Sequence, residues 1–198
     1  MLLTQMNPEL DLNRMARKIS VNFSKIIILQ SLPDLEFKTG SRLEEDLVVI
    51  AAFKNENISI EKLDVSNKES LFLNLRVIEE DAKSGEWPIL HFECHGSAEE
   101  MQLKSGENIL WDELKPYLVK INMATRLNLI VCFSCCFGAN IDKTLSLLDR
   151  SPFLMSIGPT DQVYPEELLR IFLKFYDQLL SSDNADLALN HLARSIIA

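Results

Sequence analysis

The stretch Leu129–Gly138, which reads LIVCFSCCFG, decides the fold of this 198-residue chain. Its first half is a continuous apolar run that is too short for a typical helix, and such a run is typical of a β-strand buried on both faces. The run ends at Ser134, Cys135 and Cys136. Because open α/β sheets bind ligands at the carboxyl ends of their strands, this stretch predicts a nucleophile at a sheet edge.

Apolar runs alternate with helical patterns along the rest of the chain. We predict further strands at Lys25–Leu32, Asn57–Val65, Ile89–His95 and Phe153–Ile157, and a β-hairpin at Met101–Trp111. Amphipathic helices are predicted between the strands. Strands that alternate with helices form a mostly parallel sheet covered on both faces, so the fold class is α/β, a three-layer α/β/α sandwich with a small hairpin.

Helix starts are predicted from capping signals. Ser41 with Glu44, and Ser66 with Glu69, have the spacing of capping boxes. A further helix is predicted over Ala139–Leu148, directly after the two adjacent cysteines.

The chain divides into an extension and one domain. Residues 1–24 contain a predicted amphipathic helix at Pro8–Ile19, and residues 25–198 form the main domain, which ends in a helix with Asp183 as its cap. We find no repeat or linker that would split this domain.

Composition restricts the classes of function. A net charge of −9 and the absence of a basic run argue against nucleic-acid binding, and no apolar run is long enough to span a membrane. We therefore expect a cytoplasmic protein with reduced cysteines. All four cysteines lie between Cys94 and Cys136, so chemistry or core packing explains them better than disulfides.

A histidine completes the candidate site. His95 ends one predicted strand and Cys135 or Cys136 ends another, so a parallel sheet brings both to the same edge. An imidazole beside a thiol can take its proton and return it to a leaving amine. Gly96 keeps side-chain bulk away from the backbone N–H groups that would form an oxyanion hole.

These residues resemble a known family. His95 with Gly96 after an apolar strand, the hairpin that follows, and the sequence from Ser134 to Gly138 are similar to the caspase-like cysteine peptidases, and in particular to the CHAT domain of bacteria. The resemblance extends over roughly residues 25–197. No tetratricopeptide array accompanies the domain here, which departs from the larger members of that family.

The resemblance implies a site without metal or organic cofactor. His95 would be the acid and base, Cys135 the nucleophile, and the Gly96 and Cys135 amides the oxyanion donors. Cys135 follows the CHAT spacing to Gly138, whereas the spacing of caspases proper selects Cys136 as the alternative nucleophile.

The same resemblance implies a substrate pocket and a partner. Asp161, Glu93 and Ser134 would line the pocket, and the two acids favour a basic residue before the scissile bond. Glu93 is also a candidate to orient His95. The expected substrate is a specific protein, cut in bacterial defence or signalling, and a regulatory protein partner is expected as well.

Other readings of the same residues remain open. The caspase-like fold can serve as a non-catalytic docking domain, and the cysteine cluster can belong to a zinc or redox protein. Zinc ligands usually occur as two closely spaced pairs, which the positions here do not provide. Cys94, Cys132 and His91 lie within strand patterns and are expected to be core residues.

Overall fold

The computed structural model describes residues 21–54 and 56–182. The strands in these ranges are β1 Lys25–Gln30, β2 Ser59–Asp64, β3 Pro88–Glu93, β4 His95–Gly96, β5 Glu100–Gln102, β6 Asn108–Leu110, β7 Ile130–Ser134 and β8 Met155–Ile157. Five parallel strands form the central sheet in the order β2-β1-β3-β7-β8. Three short antiparallel strands, β4, β5 and β6, form a second sheet.

Position in the central sheet explains the composition of its strands. Every residue of β3 and β7 is buried, and β1 is buried beyond its first residue, as expected for strands with a neighbour on each side and a helix layer on each face. The edge strand β2 carries Glu61, Lys62 and Asp64, whose charges protect an exposed edge from pairing with another chain.

Within the described residues, four α-helices cover the two faces of the sheet. They are α1 Thr39–Lys54, α2 Lys68–Lys83, α3 Trp111–Ala124 and α4 Pro165–Ser182. Leucines of α1 and aromatic residues of α4 pack on one face, and residues of α2 and α3 pack on the other. The predicted three-layer α/β/α architecture is therefore confirmed. Of the described helices, none is both long and apolar enough to cross a bilayer.

Local signals located the helices less accurately than the strands. The cap of α2 is Asn67, whose side chain accepts from the Ser70 amide, so the predicted Ser66 and Glu69 box is wrong by one residue. Ser41 lies inside α1, and its amide donates to the Gln30 side chain.

The prediction over Ala139–Leu148 was also wrong, since this segment holds only a 3₁₀ helix, Gly138–Thr144. The helices predicted at Pro8–Ile19 and after Asp183 lie outside the described residues.

The chain leaves the central sheet just before His95. β3 ends at Glu93, the chain bends at Cys94, and His95–Gly96 then pairs with β5 in the second sheet. The predicted hairpin is therefore present and extended by a third strand. Strands β2 and β3 lie on opposite sides of β1, so the order of the strands reverses between β1 and β3. The carboxyl ends of strands at such a reversal are where α/β sheets form ligand sites.

Candidate active site

A cleft of about 220 Å³ lies at the carboxyl edge of the central sheet. The segments that form it follow β1, β3 and β7, together with the start of α4. It gathers six of the seven residues predicted from the sequence: Glu93, His95, Gly96, Ser134, Cys135 and Cys136. One cleft therefore contains both the histidine and the two candidate nucleophiles.

Cys135 lines the cleft but is also packed in the core. It belongs with Val131 and Phe133 to the core on the α2 and α3 side. The Cys135 side chain is 2% exposed. A hydrogen bond with the Cys94 thiol, together with burial, raises the pKa of Cys135 well above its ordinary value. Such a thiol is a poor source of thiolate.

Cys136 lies in the turn that follows β7, and it lines the cleft. Glu93 of β3 and Ser134 of β7 are the last residues of these strands that pair in register, and both line the cleft. His95 and Cys136, two positions further along each chain, line it as well. The Cys136 side chain is partly exposed, and its thiol donates weakly to a backbone carbonyl oxygen 3.8 Å away. Cys136 is thus the accessible thiol of the pair.

The backbone after Cys136 is fixed by a turn. Phe137 has a φ of 58°, in the left-handed region, and its N–H donates to the carbonyl oxygen of Asp161 at 3.2 Å. The amide of Ala139 donates to the carbonyl oxygen of Pro159 at 3.0 Å. The loop before α4 therefore holds the chain segment that carries the thiol.

Two glycines allow the strands to approach each other here. A Cβ on Gly96 would overlap the carbonyl oxygen of Cys136 and lie 3.0 Å from the Cys135 sulfur. A Cβ on Gly138 would overlap the side chain of Phe133 and lie 3.4 Å from the same sulfur. Gly96 is thus required because the chain after His95 packs directly against the backbone of Cys136.

The carboxylate that contacts His95 is Glu36, a residue that sequence reasoning missed. Nε2 of His95 lies 2.9 Å from Oε2 of Glu36, and each side chain is roughly half exposed. Glu36 follows the first buried strand, and the segments that follow strands at this edge commonly supply functional residues. This position after a buried strand was the only feature of the sequence that could have identified Glu36.

Glu93 does not orient His95, contrary to the prediction. Its two oxygens are engaged elsewhere: Oε1 lies 3.0 Å from Nε2 of His91, and Oε2 accepts from the Thr39 hydroxyl at 2.5 Å. Glu93 is 2% exposed and contributes to the floor of the cleft. It lines the cleft, but as part of a buried network.

That network extends into the core through His91. Because a carboxylate only accepts, His91 donates to Glu93 through Nε2, and its Nδ1 accepts from the Tyr176 hydroxyl at 3.1 Å. The Tyr176 hydroxyl is also hydrogen-bonded to the Cys132 thiol, and burial raises the pKa of Cys132 to about 12. His91 and Cys132 are fully buried, which confirms that they are core residues, as is Cys94.

Asp161 is the predicted pocket residue that lies outside the cleft. Its carboxylate is exposed and accepts from the Gln162 amide at 2.8 Å. It lines a second cavity, of about 340 Å³, which adjoins the cleft at Val163 and Leu168. The contact of Asp161 with the thiol-bearing turn is made by its backbone carbonyl alone.

The cleft is acidic. Glu36, Glu93 and Glu166 line it, and no described residue that lines it is a lysine or an arginine. All four cysteines are free thiols. Within the described ranges, no three or more His, Cys, Asp or Glu side chains are grouped so that they could hold a metal ion.

Comparison of the chain with protein-family models and with curated protein sequences finds no match.

Proposed function

We propose that this chain is a cysteine peptidase in which His95 is the general base and acid and Cys136 is the nucleophile. The observation that carries the proposal is the cleft at the carboxyl edge of the central sheet, which is lined by both His95 and a partly exposed Cys136. Cys135, which the sequence favoured, is replaced by its predicted alternative because its thiol is buried and hydrogen-bonded to Cys94.

The proposed reaction uses the residues as follows. His95 takes the proton of the Cys136 thiol, and the thiolate attacks the carbonyl carbon of a peptide bond. The N–H groups of Gly96 and of the nucleophile stabilise the negative charge on the carbonyl oxygen. The imidazolium then protonates the leaving amine, and water hydrolyses the resulting thioester with His95 again acting as the base. None of these reaction steps uses a metal or an organic cofactor.

The acidic lining of the cleft supports a basic substrate. We propose that a lysine or arginine lies near the scissile bond, because Glu166 lines the cleft and no described residue that lines it is a lysine or an arginine. Ser134 would contribute to the same pocket, and Asp161 would act from the adjoining cavity.

We also propose the CHAT group of caspase-like peptidases as the family, with residues 25–198 as the peptidase domain. The three-layer α/β fold and the order of His95, Gly96 and the cysteine pair support this assignment. The proposed setting is the bacterial cytoplasm, where the enzyme cuts a specific protein in defence or signalling under the control of a regulatory protein partner.

The test is cleavage of a peptide library by the wild-type protein and by single variants. We expect Cys136→Ala and His95→Ala each to abolish cleavage, because they remove the nucleophile and the base. Cys135→Ala is the matched control, since it removes a neighbouring thiol of the same kind, and it is expected to retain cleavage.

Cleavage that survives Cys136→Ala but is lost in Cys135→Ala would overturn the assignment of the nucleophile. A folded wild-type protein that cleaves no peptide in the library, even at high enzyme concentration, would favour the non-catalytic docking domain.

A further inference from the structure

The contact between Glu36 and His95 lies at the mouth of the cleft. The distance between Oε2 of Glu36 and Nε2 of His95 is 2.9 Å, within the range of a charge-assisted hydrogen bond. Glu36 comes from the segment between β1 and α1, and His95 from the start of the second sheet, 59 positions along the chain. The two residues are therefore distant in the sequence, and the tertiary fold brings them together.

The segment that presents Glu36 is anchored at several points. The Lys38 ammonium donates to the carbonyl oxygens of Leu32 at 2.6 Å and Pro33 at 2.5 Å, and the Glu36 amide donates to the Pro33 carbonyl oxygen at 3.1 Å. Thr39, at the end of the segment, is bonded to Glu93. Glu36 thus projects from a closed turn, which restricts the positions its carboxylate can adopt.

The pair determines which ring nitrogen of His95 is available for chemistry. An ionised carboxylate has no proton to donate, so the hydrogen of the neutral ring lies on Nε2. Nδ1 is then the nitrogen with a free lone pair, able to accept a proton from a thiol. When the ring becomes imidazolium, the negative charge of Glu36 stabilises it.

Other charged groups near the cleft do not provide this contact. Glu93 is bonded to His91 and Thr39, and Glu166 lines the cleft from the start of α4. The remaining titratable neighbours are thiols, those of Cys94, Cys135 and Cys136.

We infer that Glu36 is the positioning residue for His95, holding the imidazole so that Nδ1 serves the thiol of Cys136. The inference rests on the proposed function, because it assigns the third member of the same site. In this role Glu36 acts through His95.

The rate at which iodoacetamide alkylates Cys136 tests this role without requiring a known substrate. We expect Glu36→Ala to slow alkylation roughly fivefold, the factor that corresponds to the upper range for an exposed ion pair. Asp34→Ala is the matched control, because Asp34 lies in the same turn and is 88% exposed, with its nearest cation 3.8 Å away. It is expected to leave the rate unchanged.

A double variant separates positioning from a structural effect. In the His95→Ala background, Glu36→Ala should cause no further loss of rate, because its effect passes through the imidazole. The urea midpoint of each variant, measured in parallel, should match that of the wild type, as expected for an exposed pair.

The possible failures are distinguishable. If His95→Ala slows alkylation of Cys136 but Glu36→Ala does not, the role of Glu36 is refuted and the proposed dyad stands. If His95→Ala itself leaves the rate unchanged, the proposed function fails. A further loss from Glu36→Ala in the His95→Ala background would also refute the positioning role.

Discussion

At the scale of single residues, two adjacent cysteines differ in burial. Cys135 is 2% exposed and belongs to the same core cluster as Phe133, whereas Cys136 is partly exposed, and both line the cleft. The spacing to Gly138 favoured Cys135 by the CHAT pattern, and the spacing of caspases proper selected Cys136. The burial of the two residues depends on the tertiary structure, and it favours Cys136.

This difference predicts the pattern of thiol labelling. Under native conditions and limiting iodoacetamide, Cys136 should be alkylated first, because the residue is partly exposed while the other three cysteines are at most 6% exposed. Peptide mass spectrometry of the labelled protein measures this directly. Protein unfolded in urea is the control and should be labelled at all four cysteines. Native labelling at Cys135 ahead of Cys136 would contradict this difference in exposure.

At the scale of secondary-structure elements, the site depends on the close approach of the β3–β4 bend to the end of β7. Gly96 allows this approach, since any side chain there meets the backbone of Cys136. A backbone atom cannot rotate out of the way as a flexible side chain can. The requirement for glycine is therefore one of packing, and the residue needs no special backbone angle.

We predict that Gly96→Ala destabilises the protein by about 1–3 kcal/mol, the usual cost of forcing an extra methyl group into a packed region. Urea denaturation measures the loss of stability. The rate at which iodoacetamide alkylates Cys136 should also change, because the β3–β4 bend and the end of β7 move apart. Ser97→Ala, at the next position, is the control and should have a much smaller effect. An unchanged urea midpoint for Gly96→Ala would contradict close packing of Gly96 against the backbone of Cys136.

Sequence patterns predicted the strands well because burial on both faces leaves a continuous apolar run, as in Lys25–Gln30 and Ile130–Ser134. They failed at the cap of α2, where Ser66, Asn67 and Ser70 all suit a helix start and only tertiary placement selects among them. They also failed after Gly138, where a short segment packed under a loop forms a 3₁₀ helix.

The candidate site was predictable in part for the same reason. Parallel strands bring their carboxyl ends to one edge, so the meeting of His95 with the cysteine pair followed from the sequence. Glu36 could not be found in this way, because its contact with His95 depends on the path of a turn between β1 and α1. Nor did the sequence show that both oxygens of Glu93 are engaged by His91 and Thr39.

At the scale of the whole molecule, a buried thiol and a buried tyrosine hydroxyl make the stability depend on pH. Burial raises the pKa of the Cys132 thiol from its ordinary value of 9.0 to about 12, and it raises the pKa of Tyr176 as well. Both groups hold their protons more tightly in the folded state than in the unfolded state. Below pH 9 both states keep these protons, so the groups contribute no pH dependence there.

We therefore predict that the free energy of unfolding falls as the pH rises above about 9 for Cys132, and above about 10 for Tyr176 as well, since the unfolded chain releases protons that the folded chain retains. The slope should be about 1.4 kcal/mol per pH unit for each such group. Urea denaturation between pH 8 and pH 11 measures it. Cys132→Ala removes one of these groups and should show a shallower slope, whereas an unchanged slope would contradict the assignment.

The central claim is that Cys136 is the nucleophile of a peptidase with an acidic cleft. The most direct measurement is the site of covalent attachment of a peptidyl acyloxymethyl ketone that carries a lysine next to the reactive group, mapped by peptide mass spectrometry. We predict a single adduct on Cys136, formed faster than with a matched aspartate probe and slowed by His95→Ala. An adduct on Cys135, or no adduct on either cysteine of a folded protein, would contradict the account.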